Sequence, residues 1–304
     1  MTADEVTVLD VDGLRMGYGA KEVLRDVSFR AGPGEVIALL GPNGAGKTTT
    51  IEILEGFRVR SAGRVSVLGT DPAHGDERWR ARLGVVLQSW RDHGKWRVRE
   101  LLTHLGTYYA PYSTDTIRRP WDADELIEAV GLTEQAGSRA GTLSGGQRRR
   151  LDAAIGLVGR PELLFLDEPT TGFDPEARYA FHDLVRRIAR DHSTTVLLTT
   201  HDLAEAGKLA DRILILAQGR IVADGSAGEL ARRLTGEDEV RWTRDGRSFT
   251  MSTPDATAFV RGLFQRYGEA IGELEVRRAT LEDTYLAWSR RHEADTHEAT
   301  GANR

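Results

Sequence analysis

Apolar and polar positions alternate along residues 6–30, with Val6, Val8, Leu9, Val23, Leu24, Val27 and Phe29 on the apolar side. That period of two predicts short, half-solvated strands at the start of the chain. Residues 35–40 instead read as a strand covered on both faces, apolar without a break from Val36 to Leu40, and they run into Gly41-Pro42-Asn43-Gly44-Ala45-Gly46. Helical spacing then covers 47–56. Similar buried strands are expected at 163–166, 194–200 and 212–217, the last followed by the Gln218-Gly219 turn and a strand at 220–223, and a further strand is expected at 84–87. Between 171 and 190 lies a helix whose start is marked by Asp174 as N-cap and Pro175 at the first helical position. Strands alternating with helices predict an α/β domain built on a mainly parallel, covered sheet.

The pattern changes twice. Residues 97–158 read as helix after helix, a helical insertion in which Asp122 with Glu125 resembles a capping box and Gly131 a C-terminal stop. Beyond about 234, segments 240–244 and 247–251 flank Asp245-Gly246, the pair best suited to a two-residue hairpin turn. A helix at 254–267, a strand at 273–279 and a helix at 281–291 complete a small α+β appendage. The expected domains are therefore 1–232, with its helical subdomain at about 97–158, then 235–291, then a tail at 292–304.

Composition narrows the choices. The 304 residues are 40% hydrophobic and 29% charged and contain no Cys, so a disulfide framework, a thiolate nucleophile and Cys-based metal sites are excluded. A net charge of -5 gives no overall field toward nucleic acid, and no nucleic-acid partner is expected. The longest apolar stretches fall far below the roughly 18 residues of a membrane span. The first five residues are acidic and do not read as a signal peptide, which places the chain in the cytosol.

Gly41 to Thr48 fit the phosphate-loop pattern in full, a match expected by chance roughly 0.006 times in a chain of this composition. Glycines allow backbone N–H groups to turn inward around phosphate oxygens, and the helix start adds its positive end. Lys47, one of only four lysines with Lys21, Lys95 and Lys208, supplies a cation at the outer phosphates, and the Thr48 hydroxyl completes coordination of Mg2+. The strand 163–166 ends in Asp167 and Glu168: Asp167 reaches the same metal, and Glu168 faces the attacking water as base or polarising group. A second anion-binding helix start lies at Leu143-Ser144-Gly145-Gly146-Gln147.

With that pentapeptide the sequence resembles the ATP-binding subunits of ABC transporters over most of residues 6–230. The resemblance implies a P-loop ATPase core with antiparallel β and helical subdomains, ATP and Mg2+ as cofactors, and a head-to-tail pair of subunits with ATP sandwiched between them. In that pair Gly41, Pro42, Asn43, Gly44, Ala45, Gly46, Lys47, Thr48 and Thr49 of one chain face Ser144, Gly145, Gly146 and Gln147 of the other. It further implies that Tyr18 stacks on adenine and that Gln88 senses the metal and the water. By the same resemblance Asp174 meets the opposite phosphate loop, and His201 contacts the γ-phosphate. Asp174 is equally a good helix start, and both roles are compatible.

Residues 88–93, the Arg148-Arg149-Arg150 run, 168–174 and the appendage ending at 281–286 look most like the drug-export branch that includes daunorubicin-resistance-type ATPases; Phe173 departs from the Leu of many relatives. The resemblance implies an ATPase motor for export, at the cytoplasmic face of the membrane as a peripheral subunit of a separate integral permease. The segment 88–102 would transmit the change to a permease helix. A soluble ABC ATPase acting on ribosome or DNA is the alternative; one phosphate loop, one signature and only 96 residues between Lys47 and Leu143 disfavour it. A nucleotide switch without turnover is the third reading. The Arg148 run reads as a solvated or ion-paired helix surface.

Overall fold

The computed structural model describes residues 7–19, 21–86, 93–170, 173, 175–230 and 238–277. The chain forms two compact units, 1–224 and 225–304.

The first unit opens with β1 (Leu9–Tyr18) and β2 (Lys21–Ala31), then β3 (Val36–Leu40), α1 (Lys47–Leu54) and β4 (Ala62–Val67). β1 and β2 run antiparallel from Leu9↔Ala31 to Tyr18↔Lys21, and β4 pairs on the other side of β1, giving the order β2-β1-β4. These strands are longer than the alternation alone predicts. The register shifts between Val11 and Leu14 and again nearer Tyr18, and each bulge flips the sequence period while the ladder continues.

α2 (Glu77–Arg80) and β5 (Leu83–Val86) lead to α3 (Val98–Thr107), α4 (Ala123–Ala129) and α5 (Gly145–Leu157), the expected helical insertion. Asp122 caps α4 by accepting from the N–H groups of Asp124 and Glu125, and Gly131 follows at φ 68°. The chain returns through β6 (Leu163–Asp167), α6 (Pro175–His192), β7 (Thr195–Thr200), α7 (Leu203–Leu209), β8 (Arg212–Ala217) and β9 (Arg220–Gly225).

The main sheet has the order β5-β6-β7-β3-β8-β9, and the β5–β6, β6–β7, β7–β3 and β3–β8 pairs are all parallel. Its central strands are buried along their whole length, as their unbroken apolar sequence requires. Ile37, Leu39, Phe165, Leu197 and Leu214 share one core with Leu9, Leu14, Val27 and Phe29 of the antiparallel sheet and Ile51, Ile53 and Leu54 of α1. The carboxyl ends of β3, β6 and β7 therefore lie together beside the start of α1, where a parallel sheet of this kind holds its ligand.

The second unit holds β10 (Asp238–Arg244), β11 (Arg247–Thr253), α8 (Ala256–Tyr267) and β12 (Gly272–Arg277), with strand order β11-β10-β12. Asp245 and Gly246 take φ 53° and 72°, the left-handed pair that closes a tight hairpin at Arg244↔Arg247. Val240, Ala256 and Leu263 form its small core. The expected helix at 281–291 lies outside the described residues.

Candidate active site

The loop after β3 is shaped by close approach. A Cβ on Gly41 would stand 2.4 Å from the carbonyl oxygen of Leu216, and Gly46, at φ 108°, would press a Cβ to 2.6 Å from Leu24. Only glycine lets the loop lie flat between β8 and β2 and then enter α1 at Lys47.

A cleft of about 350 Å³ opens beside this loop, lined by Tyr18, Lys21, Val23, Asn43, Gly44, Gly46, Lys47, Thr48, Thr49 and Glu168. Eight of these ten are residues expected from sequence, and the fold brings them together from β1, the loop, α1 and the end of β6. Gly41, Pro42 and Ala45 belong to the same loop without lining the cleft. Lys21 and Val23 are the additions. Lys21 opens β2 directly across the hairpin from Tyr18, and its rarity as a lysine is the signal that points to it. Tyr18 is half exposed, with the Arg58 guanidinium 5.1 Å from its ring centroid.

Lys47 is 6% exposed, and its Nζ donates to the carbonyl of Gly41 at 2.8 Å, with the carbonyl of Pro42 at 3.4 Å and Glu168 Oε1 at 3.7 Å. Burial pulls its pKa down, and the carboxylates of Glu168 and Asp167 work against that shift. The same Glu168 oxygen lies 3.3 Å from His201 Nδ1 at the end of β7. Two basic groups thus converge on one carboxylate.

Glu168 has φ 44°, an uncommon backbone state for a non-glycine residue, and its N–H is held by Thr199 Oγ1 at 3.0 Å. The Thr199 hydroxyl donates in turn to Asp167 Oδ1 at 2.5 Å. One buried threonine on β7 therefore positions both acidic residues at the end of β6. Sequence reasoning passed over Thr199 because it lies inside an apolar strand run, where a threonine is ordinary β-forming composition.

The Thr48 hydroxyl and the Asp167 carboxylate are hard oxygen donors, the kind a magnesium ion takes. Among the described residues no cluster of three or more acidic or His side chains forms a protein-only metal cage. Gln88 and Asp174 lie outside the described residues.

The segment Ser144 to Gln147 does not line the cleft; it heads α5, with Ser144 and Gly145 exposed. Ser144 Oγ accepts from the Gln147 N–H at 3.3 Å while Gln147 Oε1 accepts from the Ser144 N–H at 3.0 Å, a reciprocal capping box. Of the arginines that follow, Arg148 and Arg149 are ion-paired, 3.5 and 3.7 Å from Asp152, and Arg150 donates to the carbonyl of Gly131.

Near the end of β7, Glu205 is buried and accepts from the hydroxyls of Thr170 and Thr200 and lies 3.3 Å from His182 Nε2. Burial raises this carboxyl's pKa, but the hydrogen bonds from His182, Thr170 and Thr200 outweigh it and leave the pKa lowered. Asp202 caps α7, accepting from the Glu205 N–H, whereas the Glu205 side chain turns into this network.

A family model described as ABC transporter matches residues 24–171. The doxorubicin resistance ATP-binding protein DrrA of Mycobacterium tuberculosis is 35% identical over 94% of this chain and 95% of its own length. The Nod factor export ATP-binding protein I of Ralstonia nicotianae is 40% identical over 77% of this chain and 71% of its own. A solved structure of the ATP binding subunit of an ABC transporter superposes with a TM-score of 0.63 at 29% identity, covering 75% of this chain and 93% of that one.

Proposed function

Because the chain belongs to the ABC transporter family as an ATP-hydrolysing, ATP-binding subunit of its drug-export branch, we propose that it drives export of a substrate through a separate membrane permease. The observation that carries the reading is the convergence of Lys47 and His201 on Glu168, which lines the same cleft as Tyr18 and the phosphate loop.

In this reading the adenine stacks on the face of Tyr18. The triphosphate is cradled by Asn43 to Gly46, with Thr49 at its inner end. Lys47 exchanges its carbonyl partners for the outer phosphates, an exchange favoured because the incoming anion offsets the cost of its burial. Thr48, Asp167 and Gln88 would hold magnesium, which would supply positive charge against that building on the transferred phosphoryl group. Glu168 takes or polarises the proton of the attacking water, and His201, 3.3 Å away, fixes the carboxylate and reaches the γ-phosphate.

Ser144, Gly145, Gly146 and Gln147 act on the ATP of a second subunit, and Asp174 meets that subunit's phosphate loop. The exposed capping box at the head of α5 supports this: its donors are organised but do not face the cleft of their own chain. Phe57, 74% exposed, and Tyr108, 50% exposed, border an apolar groove of about 290 Å³ that also takes in Leu105 and Val158, a seat for a permease helix. Such a contact makes the subunit peripheral at the cytoplasmic face; among the described residues no helix is long and apolar enough to cross a membrane. Residues 235–291 form an accessory domain.

The test is ATP hydrolysis by the purified protein beside Lys47→Ala and Glu168→Gln. Both variants should lose at least about 100-fold in turnover. Glu168→Gln should also form a stable dimer in ATP; a variant that binds ATP and stays monomeric counts against the sandwich.

A further inference from the structure

The C-terminal unit contains a cleft with no part in ATP hydrolysis. It has a volume of about 500 Å³ and lies between α8 and the β10–β11 hairpin, within the size range of small-molecule sites. Its floor is aromatic: Trp242 and Phe249, facing each other across the hairpin, stack at 5.5 Å with 17° between planes, and Met251 continues the surface. The wall is the flank of α8 formed by Ala258, Gly262 and Arg266, one helical turn apart. The first two are too small to fill the gap, and a Cβ on Gly262 would meet nothing within 4 Å.

Of the polar side chains that line the cleft, Arg244, Arg266 and Trp242 carry donors only, and the Tyr267 hydroxyl alone can also accept. The Arg244 guanidinium lies 4.4 Å from the Tyr267 ring centroid and 5.3 Å from that of Phe249, and Arg266 lies 5.4 Å from Tyr267. Planar cations seated on rings keep their remaining N–H groups for an anion. Arg244 lies 3.4 Å from Asp245, itself 80% exposed, while among the described residues Arg266 pairs with no carboxylate. The indole nitrogen of Trp242 is buried and, among the described residues, meets no acceptor, so the ring and not its N–H faces a ligand. An apolar, ring-lined slot edged by two guanidiniums fits a flat body that carries negative charge.

We propose that this cleft binds a small aromatic organic anion, with its rings between the Trp242–Phe249 floor and the small-residue flank of α8 and its acidic group at Arg244 and Arg266. The charge excludes cationic aromatics from the same position, and the slot is too narrow in polar acceptors to favour sugars or free amines.

The probe is 1-anilinonaphthalene-8-sulfonate, titrated by fluorescence into the full chain with the nucleotide cleft saturated by ADP. The neutral analogue N-phenyl-1-naphthylamine serves as the control for apolar binding alone. One saturable site is expected. Gly262→Leu should abolish it or weaken it at least tenfold while the melting temperature holds or rises, since leucine is the better helix former. Arg266→Gln should weaken the sulfonate about fivefold to tenfold and leave the neutral analogue unchanged. No saturable binding, binding that survives Gly262→Leu, or equal affinity for the neutral analogue would each overturn the proposal.

Discussion

Thr199 and Glu55 show how much a single side chain decides around the acidic pair. Thr199 is fully buried and spends its one hydroxyl twice, accepting from the Glu168 N–H and donating to Asp167. Thr199→Val keeps the shape of the side chain and removes both bonds. The expected cost is about 1–2 kcal/mol of stability, read by chemical denaturation. Steady-state ATP hydrolysis should fall on the order of tenfold, because Glu168 is then free to leave its unusual backbone state. A variant with full turnover would show that the strand end positions the acids without it.

Glu55, at the end of α1, is 6% exposed; burial, with lesser contributions from Asp167 and Glu52, pushes its carboxyl up to about 8. In the unfolded chain the group ionises near 4.5. Between those values the folded state retains a proton that the unfolded state has lost, so stability declines as pH rises from about 4.5 to about 8 and then levels off. Glu55→Gln removes that decline. In nucleotide-free protein its melting temperature should match the parent near pH 4.5 and exceed it by on the order of 5 °C at pH 8.5. A constant gap across that range would rule the buried proton out.

At the scale of elements, the junction of β6, α6, β7 and α7 is tied by one carboxylate. Glu205 on α7 gathers Thr170 after β6, His182 of α6 and Thr200 at the end of β7. Glu205→Ala strands these donors in a buried site, at an expected cost of about 3–5 kcal/mol. Calorimetry should show a loss of roughly 6–15 °C in melting temperature. The elements themselves were largely legible beforehand: β3, β6, β7 and β8 match their apolar runs to within a residue or two, because a strand covered on both faces has no polar face to blur it. β1 and β2 were read as shorter pieces, since bulges break the period-two rule while hydrogen bonding carries on.

At the scale of the whole molecule, the proposed pairing of subunits has a consequence that no single-chain site shares. Lys47→Ala disables every phosphate loop of its homodimer, and Ser144→Arg every α5 tip of its own. A mixed dimer places both lesions at one interface site and leaves the other with an intact loop and an intact tip. Mixing the two inactive variants should therefore restore up to about half of the turnover per dimer expected from one working site, read in a coupled ATPase assay with unmixed variants as baseline. Mixtures as inactive as their parts would place Ser144 outside the reacting site.

The sequence by itself determined the chemistry of this protein: glycine spacing, a lysine after it, two acids ending an apolar strand and a serine-glycine helix start are local patterns, and each needs only its own neighbours to be recognised. It equally determined the parallel sheet and the Asp245-Gly246 hairpin, for the same reason. Only the tertiary structure decided what meets across distance. Lys21 stands at the phosphate loop, Thr199 holds Asp167 and Glu168, Glu205 joins Thr170, His182 and Thr200, and two arginines meet an aromatic slot in the C-terminal unit. Those pairings are set by how sheets and helices stack, and packing joins residues whose separation along the chain carries no periodic signal.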